Sequence, residues 1–306
     1  MRRALLSWTL VFALLAAGFG ASVLALNGDL YSAHGFVRSY LQTLQRHDAE
    51  AALATPGVVG ASPLVTDATV GGFDDIRLVS DVSSGEKSIV RYAYTIDGGE
   101  QVSEFTVERT GTRMGLFATW RFAVSPIATL AVSVDHDSRF AANETDAVAG
   151  THTMLVPSAF TLTHDTRYLE ALPTLAVVTE VGSTVEAAVA VAPKDSFAEA
   201  ATEAMKAHLD TCATQTVLKP TGCPFGTDVA NRVDSAPTWT MVDYPIAELS
   251  PEGLAWQTEG EGIAHVTVAV KSLFDGTLST LDKDVPFSAV FTVTIAADDS
   301  LSVTSA

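Results

Sequence analysis

The chain reads as an α+β protein: an N-terminal transmembrane helix, then two units of one helix and four antiparallel strands flanking a small all-β module. Three observations predict this. Residues 4–26 carry no charged side chain, two stretches within 30–53 and 196–211 repeat their apolar residues at helical spacing, and each stretch is followed by runs alternating apolar and polar residues between Gly, Pro and Asp breaks. At 306 residues the chain has room for two or three domains, and an apolar fraction of 47% suffices to bury their cores. The expected division is a cytoplasmic N-terminus at 1–3, a transmembrane helix at 4–26, an α+β domain at 27–125, a β module at 126–193 and a second α+β domain at 194–306.

The first element is the run ALLSWTLVFALLAAGFGASVLAL from Ala4 to Leu26. As a helix it rises about 34 Å, slightly more than a bilayer's hydrocarbon core. In lipid, only a helix satisfies the backbone of so short a segment. Arg2 and Arg3 precede it, and Asn27, Gly28 and Asp29 follow. The positive-inside rule keeps the arginines in the cytoplasm and sends the C-terminal region out, giving a single-pass protein whose first partner is the cell membrane. Val23-Leu24-Ala25 also fits a signal-peptide cleavage site. The apolar run is about twice a usual signal h-region and helical sequence continues beyond it, which favours a retained anchor. Both readings export the chain.

A helix over 30–53 places Phe36, Val37, Tyr40, Leu41 and Leu44 on one stripe, extended by Ala49, Ala52 and Leu53, with Arg38, Gln42, Gln45 and Arg46 opposite and Pro56-Gly57 as its stop. Strands follow at 75–82, 88–96, 101–110 and 116–124, with hairpin turns at Asp97-Gly98-Gly99 and Thr110-Gly111. The pattern recurs near the end of the chain. A helix over 196–211 carries Phe197, Ala200, Ala201, Ala204, Met205, His208 and Leu209 on its stripe, and strands are expected at 238–244, 262–273, 285–296 and 301–304, with turns at Asp275-Gly276 and Asp298-Asp299. Between the two copies, alternation at 127–134, 175–181 and 185–191 predicts β structure bounded by Pro126 and Pro193-Lys194-Asp195.

Cys212 and Cys223 bracket a short loop bent by Pro220 and Gly222. In an exported chain two such thiols pair, and the loop lacks the further ligands that a metal needs, so a structural disulfide is expected. Charge is lopsided, 18 basic against 36 acidic residues for a net of −18. A surface so acidic repels phosphate backbones, which argues against nucleic acid as a partner.

The segment Phe36-Val37-Arg38-Ser39-Tyr40-Leu41-Gln42-Thr43-Leu44, followed by Asp48-Ala49-Glu50-Ala51-Ala52-Leu53, resembles the opening helix of NTF2-like and cystatin-like α+β domains. The run Pro220 to Phe225 with Ser272-Leu273-Phe274-Asp275-Gly276 looks like a recurrent exported domain of actinobacterial membrane proteins without an assigned activity, and the middle stretch is similar in size and placement to PEGA-like modules. The resemblance implies an envelope-anchored protein with a concave helix-on-sheet cone. Enzymes of the NTF2-like superfamily use an Asp base and a Tyr donor in that cone. Tyr31, Tyr40, Tyr92 and Tyr94 lie on the corresponding elements, but no matching motif around an Asp is present, so no catalytic residue is carried over.

Individual site candidates are weak. Asp135-His136-Asp137, with His164-Asp165 further on, holds metal-ligand chemistry, but along a strand the middle side chain faces away from its neighbours, and a solvated turn is expected. His34 reads as a helix-surface residue, and His208, four residues before Cys212, loses its thiolate partner to the disulfide. His152, His164 and His265 have no nucleophile motif in reach, and Gly71-Gly72 lacks the Lys-Ser/Thr of a nucleotide loop. Trp120 and Phe122, and Trp239, Met241 and Tyr244, read as core, while Trp256 in the Gly- and Glu-rich stretch 252–262 reads as an exposed ring. The sequence therefore predicts no catalytic, metal or cofactor site, and a non-catalytic interaction or scaffolding role with an envelope protein as partner. Small-ligand binding in an open cone is the alternative, and an enzyme of the same superfamily a third reading.

Overall fold

A computed structural model of the protein describes residues 2–305, with side chains from Leu14 onward. The fold is α+β, with mostly antiparallel sheets and, among the described residues, four helices. By its contacts the chain divides into two compact units: Met1–Ser133 with Arg139–Thr163 and Pro173–Val189, and Val134–Ser138 with His164–Leu172 and Ala190–Ala306.

Helix α1 runs Arg2–Gly28. Among the described residues no single helix is long and apolar enough to cross a membrane, although Leu14–Gly28 and Ala33–Gln45, bent by 58°, pass that test as a pair. Side chains 4–13 of the expected transmembrane segment lie outside the described residues. The second member of the pair, α2 (Ala33–Gln45), spends its apolar stripe elsewhere: Val37, Tyr40, Leu41 and Leu44 are buried in the first unit.

The chain leaves α1 through a short turn, and Ser32 then caps α2 by accepting from the Gly35 amide. The single helix expected over 30–53 is two. His47 takes a left-handed φ of 55°, which closes α2, and Asp48 starts α3 (Ala49–Leu53) by accepting from the Ala51 amide at 2.9 Å. Across this break α2 buries Val37, Tyr40, Leu41 and Leu44 and α3 buries Ala49 and Ala52, whereas Leu53, expected on the same stripe, is exposed.

That sheet is β1 (Asp74–Ser84), β2 (Lys87–Ile96), β3 (Gly99–Arg113) and β4 (Phe117–Phe122), antiparallel and in sequence order. Of its expected turns, the one at Asp97-Gly98 is present. The one at Thr110-Gly111 is not: Gly111 sits inside β3 at a register shift, and the hairpin turns instead at Met114-Gly115, both at positive φ. Rings fill the space between α2 and this sheet. Tyr40 packs edge-on against Phe122 at 5.0 Å and Phe105 at 6.3 Å, and Phe36 lies 5.1 Å from Phe122.

The same unit holds a three-stranded sheet ordered β11 (Thr184–Val189), β5 (Ile127–Val134) and β8 (Gly150–Leu155), and the hairpin β6 (Arg139–Ala142) and β7 (Thr145–Val148), which pairs with β9 (Ser158–Asp165). As expected, the stretch 127–193 is free of helix.

In the second unit β10 (Leu169–Val178) begins paired to β12 (Val191–Pro193), and α4 (Asp195–Ala213) follows. Phe197, Ala201, Met205, Leu209 and Cys212 recur at spacings of three and four and are buried. The rest is a sheet built around one long hairpin, β16 (Ala255–Lys271) and β17 (Leu278–Ile295), paired without a register shift. On the far side of β16 lie β13 (Arg232–Val233), β14 (Thr238–Asp243) and β15 (Ser250–Glu252), while β18 (Leu301–Ser305) covers the end of β17. The order of a helix followed by antiparallel strands therefore occurs twice.

The expected start of β16 at residue 262 is too late, and the reason is steric. Gly260 and Gly262 are strand residues whose missing side chains admit rings: a Cβ would come within 2.5 Å of Pro245 at the first and within 2.5 Å of Phe287 at the second. Trp256, expected to be exposed, lies on the inward face of this longer strand and is 2% exposed.

Candidate functional site

The interiors of both helix-on-sheet units are occupied by their own side chains. In the first, Tyr40, Tyr92, Tyr94 and Phe105 are each 1% exposed. Their hydroxyls find partners: Tyr40 donates to the Val156 carbonyl at 3.0 Å, Tyr92 to the His34 carbonyl at 2.9 Å, and Tyr94 meets Ser103, which in turn donates to the Thr179 carbonyl. Burial pushes the Tyr40 phenol well above its ordinary value and Tyr94 up to about 12. In the second unit Phe197 lies 5.4 Å from Trp256 and 5.5 Å from Tyr168, and Phe225 lies 5.0 Å from Trp239 and 5.7 Å from Phe287. The Trp239 indole N–H donates to the Val217 carbonyl, whereas the buried Trp256 N–H has no hydrogen-bond partner.

Clefts elsewhere open on the surface. A cleft of about 490 Å³ is lined by Arg91, Val102, Glu104, Thr106, Val124 and Glu180, but the Arg91 guanidinium is held by Glu104 at 2.6 Å. Parallel cross-strand pairs, Arg77–Glu100 at 2.6 Å and Arg121–Glu108 at 2.5 Å, tie the same sheet together.

Cys212 and Cys223 are disulfide-bonded, their Cα atoms 5.8 Å apart, joining the end of α4 to the loop before β13. Asp135-His136-Asp137 is a turn as expected but not a fully solvated one. His136, at positive φ, sets its Nδ1 3.0 Å from the Gly253 carbonyl and its ring against Trp256, while the Asp137 carboxylate lies 3.6 Å from Nε2 of the buried His164. The two acids flanking His136 do not converge, and among the described residues no group of three or more His, Cys, Asp or Glu could hold a metal ion. Asp165 instead pairs with Lys194 at 2.5 Å, which holds its carboxyl below the usual range.

Two histidines do more than the sequence suggested. His34, expected at the helix surface, is wedged between Asp81 at 3.0 Å and Asp29 at 3.9 Å, with Arg38 also on Asp29 at 3.2 Å. His265 sits on β16 between Asp284 at 2.7 Å and Asp282 at 3.0 Å, and these carboxylates, Asp284 foremost, raise its pKa. His208 lies 4.0 Å from the Cys212 sulfur, which the disulfide makes inert as a nucleophile.

Sequence reasoning missed one constellation entirely, the collar where α1 meets the first unit. Asn27 uses its side-chain amide as a strand would use its backbone, donating to the Leu116 carbonyl at 2.7 Å and accepting from the Ala118 amide at 3.0 Å. Tyr31 stacks on Phe117 with ring centroids 4.4 Å apart, and the Trp120 indole donates to the Tyr31 carbonyl at 2.8 Å. The available signal was a lone Asn ending an uncharged run, with aromatics spaced along a facing strand. Along α1 itself the apolar side chains have no such partners: Leu14 is 66% exposed, Leu15 65%, Phe19 60% and Leu24 75%. No family model, no curated protein and no solved structure matches the chain.

Proposed function

We propose that the chain is a membrane-anchored extracytoplasmic interaction or scaffolding protein, held in the cell membrane through residues 4–26 with its N-terminus in the cytoplasm. The carrying observation is the exposed apolar surface of α1. Leu14, Leu15, Phe19 and Leu24 are 60–75% exposed, and leaving a large apolar side chain in water rather than in an apolar medium costs up to roughly 1.5–3 kcal/mol. The disulfide supports an oxidising compartment. Expected kinship with NTF2-like and cystatin-like domains belongs to this reading, as does the second sheet unit acting as a repeat of the first.

The competing reading, a small-molecule binder working inside an open cone, requires space between helix and sheet. Tyr40, Phe105 and Phe122 in one unit and Phe197, Trp256 and Trp239 in the other occupy that space, which favours recognition by surface. The test is cross-linking in living cells with the full chain, followed by capture and identification. Repeated recovery of one envelope protein supports the proposal. A consistent return of nothing specific, together with a bound small molecule in the purified protein, overturns it.

A further inference from the structure

The collar fixes which part of the first unit lies beside the anchor. Along β4 its contacts advance in order: Asn27 with Leu116 and Ala118, Tyr31 with Phe117 and Trp120, Phe36 with Phe122. The direction from Phe122 back to Phe117 is therefore the direction from α2 back toward α1, and the β3–β4 hairpin tip lies on the α1 side of that contact. One helical turn before Asn27, Val23 is half-buried while Leu24, Ala25 and Leu26 are exposed, so the covered side of α1 is the side bearing Asn27.

The composition of this tip differs from the rest of the protein. Met114 is 82% exposed and Leu116 41%, two exposed apolar residues at a tight turn. Between Arg109 and Trp120 there are two arginines and no acidic residue, in a chain with twice as many acids as bases. Arg38, Arg77, Arg91 and Arg121 are each paired to a carboxylate, whereas Arg109 and Arg113 have no ion-pair partner among the described residues. Tyr31 and Trp120 beside them are the residue types that settle at the headgroup level.

We propose that the β3–β4 hairpin tip is a lipid-contacting element: Met114 and Leu116 enter the interfacial layer beside α1, and Arg109 and Arg113 meet the phosphates of the lipid headgroups. This rests on α1 being the anchor, and it adds that the first unit stands on the bilayer at a fixed tilt. Continuity with the apolar helix and the local reversal of charge both select a bilayer as occupant.

The test uses the full-length protein in vesicles containing anionic lipid. The two native cysteines are bonded to each other, so a Met114→Cys variant offers a single thiol for an environment-sensitive dye. Glu100→Cys, at the other end of β3 and roughly 45 Å away, is the comparison site. The expected result is that nitroxide lipids quench the dye at 114 several-fold more than the dye at 100, and that the R109E/R113E double variant reduces this difference. Equal quenching at both sites in protein that co-floats with the vesicles overturns the hairpin proposal and leaves the anchor standing. Failure of the unlabelled protein to co-float overturns the anchor, and the hairpin proposal with it.

Discussion

The filled interior of the first unit makes a definite prediction at alkaline pH. The Tyr40 phenol is fully desolvated, and its pKa is raised well above 10 by burial. An unfolded tyrosine ionises near pH 10. Above that pH the folded state therefore binds more protons than the unfolded state, and stability must fall as pH rises. Worked through, Tyr40 costs about 1.4 kcal/mol at pH 11 relative to pH 8, and Tyr94, raised to about 12, costs a similar amount. Substituting Tyr40→Phe removes its share of this loss. At pH 8 the variant is less stable than wild type by about 1–3 kcal/mol, because the buried Val156 carbonyl loses its donor. The assay is thermal unfolding by near-ultraviolet circular dichroism at both pH values. Tyr40's share corresponds to a difference of about 3–6 °C in how far Tm falls between them. If wild type and variant lose the same number of degrees, Tyr40 ionises in the folded state and the interior is wet, which refutes the packed-core argument.

Three further outcomes are expected. Phe197→Ala, which removes a fully buried ring from between Tyr168 and Trp256, destabilises the second unit by about 3–5 kcal/mol in chemical denaturation. Opening the disulfide by Cys212→Ser with Cys223→Ser, which frees a loop of sequence separation 11, lowers stability by about 3 kcal/mol without changing the far-ultraviolet spectrum. Asn27→Ala removes both amide bonds to β4, and limited proteolysis then cuts faster between Gly28 and Ser32 while the rate within β2 and β3 stays unchanged.

What the sequence made legible follows from how local each signal is. The stripe Phe197, Ala201, Met205, Leu209 is one helix because spacing alone determines which side chains share a face. β5 spans Ile127–Val134 as its alternation predicts, because a half-buried strand writes its period into its composition. The disulfide followed from compartment and count. The misreadings share a cause: they depend on what a residue touches at a distance. His47 breaks a helical stripe that continues in phase on either side, so the pattern does not reveal it. Gly260 reads as loop and Gly262 as the start of a strand because their purpose, room for Pro245 and Phe287, lies in other segments, and Trp256, in the stretch before that start, reads as exposed. Gly111 reads as a turn but forms a bulge, which displaces the true turn to Met114-Gly115. The collar around Asn27 pairs residues 89 and 91 positions apart, beyond any local pattern.

The central claim is that α1 rests in a bilayer and holds the rest of the chain outside the cytoplasm. It is tested most directly on intact cells expressing the Glu100→Cys variant, using a membrane-impermeant thiol reagent followed by alkaline carbonate extraction. The account predicts label at position 100 and all of the protein in the membrane pellet. Unlabelled protein in the soluble cytosolic fraction, with Cys212 and Cys223 reduced, would contradict it.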